Sequence, residues 1–246
     1  MDHYKSCVTQ NLSHHIDLND EDVRLLAELE EDPTNVKKHT ELWETGRAAE
    51  KLYTLRSGWA FAFRRNEDGS RQVMDIYVPG DVLGIRDVTF EHHYTSACML
   101  TDGIICPFPT ERLHYIFGRS PKLAMGLHAA AARQQMIIMD RLVNVLSHDA
   151  KARIAHFTLE IYYRLKRIGA DVENGYGLPI TQKQISMLLG ISEVHLSRTM
   201  SELEEMGLLR KTRKKLQVLD IDRLSELARF TPDRFNDELN PLLQTW

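Results

Sequence analysis

The sequence has little cysteine: its 246 residues include only Cys7, Cys98 and Cys106. Three cysteines, an odd and small number, do not indicate a framework of disulfides. Such a cysteine content fits a protein of the reducing cytoplasm best. Long hydrophobic runs are also absent, since no apolar segment approaches the ~20 residues that a membrane span needs. The N-terminal MDHYKSCVTQ lacks the apolar stretch of a signal peptide. We therefore expect a cytoplasmic protein with no membrane partner.

The chain also lacks a net positive charge, because its formal charge at pH 7 is -4. The net charge therefore does not indicate nucleic-acid binding, and the charge of individual segments is more informative. The segment 210–215 reads Arg-Lys-Thr-Arg-Lys-Lys and is strongly cationic. A net-acidic protein with one basic segment can still bind DNA, because only the face near the phosphates matters.

Motifs for catalysis and for metal ions are missing as well. The sequence has no phosphate-cradling glycine loop, no zinc motif, no nucleophile elbow and no convincing acid–base pair. We interpret Cys98 and Cys106 as small buried apolar residues and His92–His93 as part of a polar turn. We predict no enzymatic activity, no metal and no cofactor. Residues that could ligate a haem iron occur without a diagnostic spacing, at His3, Cys7, His14, His15, His92, His93 and Cys98.

The first half of the chain has the pattern of a small β domain. Residues 1–20 are polar and irregular, and a short helix is expected over 21–31. From about 40 to 110, short aromatic and β-branched runs alternate with turn signals such as Asp68-Gly69. Many short strands at this spacing predict a β-barrel or β-roll.

Pro121 begins a long helical stretch that runs to about Ser147, with Ser120 as a candidate N-cap. Two neighbouring apolar stripes follow it at alternating spacings of four and three. We assign one stripe to a coiled-coil seam between two subunits and the other to packing on the β domain. The alternative is a single helix buried in one monomer. The seam is predicted to include Ala131, Gln135, Ile138, Leu142 and Val145, and the second stripe is Met125, Ala129, Ala132, Met136, Met139, Val143 and Leu146.

A helix-turn-helix pattern follows another amphipathic helix, at 149–168. Thr181 and Gln184 form a capping box that begins a helix, Gly190 permits a sharp turn, and Ser192 is a second N-cap. Two short helices joined by a tight glycine turn, with a polar outer face on the second, are typical of a DNA-binding helix-turn-helix. An ordinary αα-hairpin is the alternative.

The basic run predicts a wing, because Leu208-Leu209 and Leu216–Leu219 bracket it like the strands of a hairpin. A solvated loop is the alternative for this run alone. In the second helix, Arg198 can bond guanine O6 and N7 with both arms of its fork. We predict base contacts from Val194, His195, Ser197 and Arg198, and backbone contacts from Thr181, Gln182, Lys183, Ser192, Lys211, Arg213 and Lys214.

These segments resemble the Crp/Fnr family of bacterial regulators over nearly the whole length. TQKQISMLLGISEVHLSRTMSELEEMGLL is similar to the family's helix-turn-helix, and SGWAFAFRRNEDGSRQVMDIYVPGDVLG to the strands and turns of its effector-binding β-roll. The resemblance implies an α+β fold with an N-terminal β-roll like the cyclic-nucleotide-binding domain, a long dimerisation helix and a C-terminal winged helix-turn-helix. We place these parts at 1–120, 121–148 and 149–230, followed by a C-terminal tail at 231–246.

The resemblance implies a homodimer on palindromic double-stranded DNA sites, with RNA polymerase as a further partner if the protein activates transcription. The effector of the β-roll is unknown. The alternative is a small-molecule sensor or interaction module with a degenerate helix-turn-helix. The basic wing and Arg198 favour DNA binding.

Three departures from the family pattern shape the expected specificity. Many members have glutamate where this sequence has Val194, and its VHLSR run resembles a branch with Val-His-Val-Asn-Arg, of Val-His-x-x-Arg type. Cyclic-nucleotide members carry a Gly-Glu turn and a phosphate-binding arginine, near which His93 falls here, so we predict no tight cyclic-AMP binding. Oxygen-sensing members hold an iron–sulfur cluster with four cysteines, three of them near the N-terminus. This chain offers only Cys7 there, which excludes a four-cysteine cluster site within one subunit.

Overall fold

The computed structural model describes residues 6–213 and 215–232, which form two compact units. The first unit holds residues 6–64 and 76–135, and the second holds 65–75 and the described residues from 136 onward. Within the described part of the chain, no helix is long and apolar enough to cross a membrane. The domain limits expected from the sequence stay predictions.

Short helices and strands make up the described residues up to 120. In chain order they are α1 (Cys7–Leu12), α2 (Asp20–Leu29), β1 (Thr34–Val36), β2 (Glu41–Trp43), β3 (Lys51–Ser57), β4 (Ala60–Arg65), β5 (Arg71–Tyr77), β6 (Val82–Leu83), β7 (Ser96–Met99), β8 (Gly103–Pro109) and α3 (Glu111–Arg119).

Helices dominate the chain from residue 121 onward. They are α4 (Pro121–Ser147), α5 (Ala150–Arg167), α6 (Gln182–Leu189), α7 (Glu193–Glu205) and α8 (Ile221–Ala228), and the strands β9 (Leu209–Lys211) and β10 (Leu216–Val218) lie between α7 and α8.

The first eight strands form two four-stranded sheets, in the orders β1-β8-β3-β6 and β2-β7-β4-β5. Apolar side chains from both sheets share one core, with Leu55 and Ile105 from the first sheet and Ala62 and Met99 from the second. The α+β fold with a β-roll is therefore confirmed. The turn between β4 and β5 is the one that Asp68-Gly69 predicts: Asp68 accepts from Ser70 N over 2.9 Å, and Gly69 has a φ of +78°.

The expectation of an irregular N-terminus is wrong for residues 7–12, which form α1. Ser6 caps this helix by accepting from Thr9 N over 3.2 Å. Val8 and Leu12 repeat at a spacing of four residues, so one side of the helix is apolar. They are fully buried in a core that also contains Leu123 of α4.

Two of the three cysteines are bonded to each other, so the expectation of no disulfide is wrong. Cys7 of α1 and Cys106 of β8 form a disulfide across a separation of 99 residues. Such a distance gives no sequence signal, because it is the sheet and the docking of α1 that bring the two together. The interpretation as a small buried apolar residue fits Cys98, which is fully buried in β7, but it is wrong for Cys106, which is bonded to Cys7.

The side of the long helix α4 that is buried differs from the side that the hydrophobic pattern predicts. Met139 and Leu146 are 51% and 74% exposed, so the expectation that the stripe from Met125 to Leu146 packs inward is wrong. The stripe that is buried instead is Leu123, Leu127, Ala130, Gln134, Ile137, Arg141 and Asn144.

A hydrophobicity pattern does not predict this inward stripe, because the stripe contains the polar residues Gln134 and Arg141. The Gln134 amide nitrogen donates to the carbonyl of Val82 over 2.7 Å, which offsets part of the cost of burying this side chain. Arg141 is buried in the same stripe because it is surrounded by carboxylates. Burial alone would lower the pKa of Arg141, but the charges of Glu160 and Asp75 outweigh it and raise that pKa.

Arg141 lies at the centre of a buried charge network in the second unit. Its Nε and Nη2 donate to the two carboxylate oxygens of Glu160 over 2.7 and 2.5 Å, and its Nη1 donates to Asp75 over 2.6 Å. Arg164 Nη1 adds a bond of 2.8 Å to Glu160. Burial acts to raise the pKa of Glu160, yet Arg141 and Arg164 hold it below its usual value. Two cations therefore balance two anions, and the network joins the end of β5, α4 and α5.

We predict that Arg141→Met destabilises the protein by about 3–5 kcal/mol, because it leaves buried carboxylates without their main cation. Urea unfolding at one fixed protein concentration measures the loss. Lys151→Met is the matched control, since the 3.0 Å ion pair of Lys151 with Glu202 is partly exposed. The control is expected to lose about 0–1 kcal/mol. Equal losses in the two variants would show that the buried network contributes no more than a surface pair.

Candidate nucleic-acid interface

The first helix of the predicted helix-turn-helix, α6, begins with the capping box that the sequence predicts. The Thr181 hydroxyl accepts from Gln184 N over 3.2 Å, and the Gln184 side chain accepts from Thr181 N over 3.0 Å. The helix ends at Gly190, whose φ of +63° lies in the left-handed region that favours glycine. The chain can therefore turn at once into the second helix. The candidate backbone contacts Thr181, Gln182 and Lys183 are all exposed.

The second helix, α7, is capped by Ser192, which accepts from His195 N over 3.2 Å. Its buried face is Leu196, Thr199, Met200 and Leu203. This inner stripe leaves the opposite face to solvent, so Val194, Ser197 and Arg198 are exposed and His195 is half-buried at the edge. Val194 is 81% exposed, although it is apolar. The candidate base-contact residues therefore lie on or beside one open face of α7.

Arg198 is held at the surface by a weak ion pair. Its Nε lies 3.7 Å from Oε1 of Glu202, and Lys151 Nζ lies 3.0 Å from the other carboxylate oxygen. The hydrogen bond from Lys151 lowers the pKa of Glu202, so this carboxyl stays ionised at neutral pH. A separation of 3.7 Å is longer than a hydrogen bond, and the guanidinium can exchange this partner for a base or phosphate.

The wing is a two-stranded antiparallel hairpin of β9 and β10, with Lys211 opposite Leu216. Its turn is closed by Thr212 N, which donates to the carbonyl of Lys215 over 2.8 Å. The side chains of Lys211 and Arg213 are exposed, while Lys214 lies outside the described residues. The backbone of Lys211 also donates to Glu204 over 2.6 Å, which ties the wing to the end of α7.

Two supporting side chains were not found from the sequence. Arg153 of α5 donates to the carbonyl of His148 over 2.8 Å and to that of Leu189 over 3.2 Å, so it holds the end of α6. Gln72 donates to the carbonyl of Met187 over 3.2 Å from 115 residues away. Neither contact leaves a local pattern, because each depends on which elements the fold brings together.

The expected effector region of the β-roll contains a buried histidine. His93 is buried rather than placed in a polar turn, so that interpretation is wrong. Its Nδ1 lies 3.0 Å from Asp87, and its ring stacks on Trp43 with centroids 4.5 Å apart. The carboxylate and the indole offset the cost of burying the imidazole.

Among the described residues, one group of three candidate metal ligands comes together: Cys7, Glu30 and Cys106, whose ligand atoms lie within 4.8 Å of one another. The two sulfurs are bonded to each other. A disulfide offers no thiolate, and thiolate is the form in which cysteine binds a metal. In the disulfide form this group does not fit a thiolate-bound metal or an iron–sulfur cluster.

Two domain families match the chain, one over the β-roll and the other over the helix-turn-helix. Residues 33–120 match the cyclic nucleotide-binding domain, and residues 152–227 match the Crp-like helix-turn-helix domain. The first match covers the β-roll, and the second covers α5, both helices of the helix-turn-helix and the wing.

Named regulators align with nearly the whole chain. The transcriptional activator protein Anr of Pseudomonas protegens is 26% identical over 92% of this chain and 92% of its own length. The fumarate and nitrate reduction regulatory protein of Escherichia coli K12 is 24% identical over 93% of this chain and 91% of its own length. By name, the first of these relatives is a transcriptional activator and the second is a regulatory protein.

The fold also matches a solved structure. FixK2 from Bradyrhizobium japonicum superposes with a TM-score of 0.72 at 24% identity, covering 80% of this chain and 96% of that one. The two domain matches together cover most of the chain, and named regulators align with more than nine tenths of it, so this chain belongs to the Crp/Fnr family of DNA-binding transcription regulators.

Proposed function

We propose that this regulator binds DNA as a homodimer, with one α7 helix entering the major groove in each half of a palindromic site. The observation that carries the proposal is the open face of α7, on which an exposed Val194 stands beside a weakly held Arg198. A helix with this face fits the major groove, where every base pair presents a distinct pattern. Two copies related by a two-fold axis would read half-sites about one helical turn apart.

Arg198 is proposed to read guanine and Val194 a thymine methyl group. A guanidinium fork can donate to O6 and N7 of guanine together, and an apolar side chain can contact the thymine methyl. Ser197 and His195 add short polar contacts beside them. This face differs from that of family members with glutamate at the position of Val194. We therefore assign the chain to the branch of Val-His-x-x-Arg type.

Backbone contacts are proposed at both edges of α7. Thr181, Gln182 and Lys183 at the start of α6, together with Ser192, would contact phosphates on one side. On the other side, the exposed Lys211 and Arg213 of the wing would lie along the phosphates, with Lys214 in the same run. These contacts supply affinity and register but carry no sequence information themselves.

The outward surface of α4 supports the homodimer. In its second half, Met136, Met139, Leu142, Val143 and Leu146 are all exposed and repeat at spacings of three and four. Such a strip on one long helix is typical of a coiled-coil seam. We propose that the seam includes Ala131, Gln135, Ile138, Leu142 and Val145, and that the strip beside it contributes to the same contact.

The β-roll is proposed not to bind cyclic AMP tightly. The carboxylate of Asp87 next to His93 would repel a cyclic phosphate, and no arginine stands at the position of His93. We further propose a cytoplasmic location without catalysis. Because Anr is named a transcriptional activator, contact with RNA polymerase is proposed for this chain by analogy.

Arg198→Ala should weaken binding to the preferred site by about 1–3 kcal/mol and remove the preference for guanine at one position of each half-site. Fluorescence anisotropy with a set of single-base variants of the site measures both effects. Arg198→Lys should keep the salt dependence but lose the guanine preference, because an ammonium cannot form the fork. Arg223→Ala removes another exposed arginine, from α8, and serves as the control. An unchanged base preference in Arg198→Ala would contradict the assignment.

Replacing Lys211, Arg213 and Lys214 by glutamine should weaken binding to all sequences alike. The slope of log K against log salt should fall by about 0.9 for each phosphate contact that is lost. A variant with Lys37, Lys38 and Arg47 replaced by glutamine removes the same charge from the β-roll and should keep the slope. A loss confined to one particular DNA sequence would contradict the role of the wing.

A further inference from the structure

The disulfide between Cys7 and Cys106 joins the start of α1 to β8. Cys7 begins α1 and is 6% exposed, and Cys106 is fully buried in β8. Glu30, just after α2, accepts from the backbone N of Cys7 over 3.0 Å and of Val8 over 2.6 Å. The disulfide and this carboxylate together fix the start of α1 against the β-roll and the end of α2.

The other side of the N-terminal segment packs on the beginning of α4. Leu12 and Ile16 lie in the same core as Leu123 and Leu127 of that helix. The contact is close at Gly126, where an added Cβ would lie 2.8 Å from Cδ1 of Ile16. Residues 7–16 therefore form a clip between the β-roll and α4, and we call them the N-terminal clip.

We propose that Cys7 and Cys106 are a reversible thiol–disulfide pair whose oxidation state sets how firmly the N-terminal clip holds the beginning of α4. A DNA-binding regulator works beside the chromosome in a reducing compartment, where protein disulfides are usually transient and redox-sensing. The remaining cysteine, Cys98, is on β7 and is not part of the pair. The proposal does not depend on which DNA sequence the protein binds.

The oxidation balances with a small-molecule disulfide such as glutathione disulfide as the oxidant. The thiolate of one cysteine attacks a sulfur of glutathione disulfide, forms a mixed disulfide and expels one glutathione thiolate. The second cysteine loses its proton, attacks the mixed disulfide and expels the second glutathione thiolate. Two protein thiols are oxidised to one disulfide, and one glutathione disulfide is reduced to two thiols. Excess reduced glutathione runs the same steps backwards.

The local structure allows this exchange although both sulfurs are buried. The six residues of α1 form too few internal hydrogen bonds to hold a helix without packing, so local opening can expose Cys7. Glu30 is suited to take the thiol proton, because an oxygen of its carboxylate lies within 4.8 Å of the sulfurs of Cys7 and Cys106.

The test compares the full-length protein after equilibration in oxidised and in reduced glutathione. Counting reactive thiols in denaturant should give one thiol for the oxidised protein and three for the reduced protein, since the chain has three cysteines. Cys98→Ala should still form the pair, whereas Cys7→Ser should not. Metal analysis of the reduced protein accompanies the count.

Amide hydrogen exchange then measures directly how firmly the N-terminal clip is held. Reduction should speed exchange of the α1 amides by at least about tenfold, speed that of residues 121–130, and lower the thermal midpoint by roughly 10 °C. Cys7→Ser should behave like the reduced protein under both conditions. Three thiols in the oxidised protein, exchange that does not change with reduction, or a stoichiometric metal on the reduced cysteines would each overturn the proposal.

Discussion

The second unit depends on the buried ion pair between Arg141 of α4 and Glu160 of α5. An arginine in the middle of an inward stripe is tolerable only because carboxylates surround it, with two bonds to Glu160 and one to Asp75. Buried pairs of this kind stabilise little compared with an apolar core, but a contact of two parallel bonds adds geometric specificity. The pair therefore fixes the register between the long helix and α5, against which the recognition helix α7 packs. The same packing positions α7, whose exposed face is proposed to contact DNA.

The exposed face of α7, which is proposed to read DNA, follows from burial and capping within a short stretch of sequence. Leu196, Met200 and Leu203 must be covered, so α7 can present only the opposite side to solvent. The two caps and Gly190 then set where each helix begins and how sharply the chain turns between them. Glu202 completes the arrangement, since it keeps Arg198 at the surface through a contact that DNA can replace.

The sequence predicts these local features well because each depends on neighbours within a few residues. The capping box at Thr181, the cap at Ser192, the glycine turn and the wing are confirmed, and so is the hairpin at Asp68-Gly69. The β-roll could be predicted from its strand spacing, although the pairing order could not.

Features that join distant parts of the chain could not be predicted. The inward stripe of α4 includes Gln134 and Arg141, whose partners are 52 and 66 residues away at Val82 and Asp75. A hydrophobicity pattern cannot predict such a stripe, because it contains no information about the distant groups that compensate for burying these polar side chains. The same reason applies to Cys7 with Cys106. Which residues of α4 meet a second subunit, and which side chains touch DNA, stay predictions.

Selection of binding sites from random double-stranded DNA by the unmodified protein tests the central claim most directly. We expect an inverted repeat whose two half-sites are centred about one helical turn apart and contain an invariant guanine each. Such a repeat requires two recognition helices related by a two-fold axis. Enrichment of a single unrepeated half-site, or of no common sequence at all, would contradict the account.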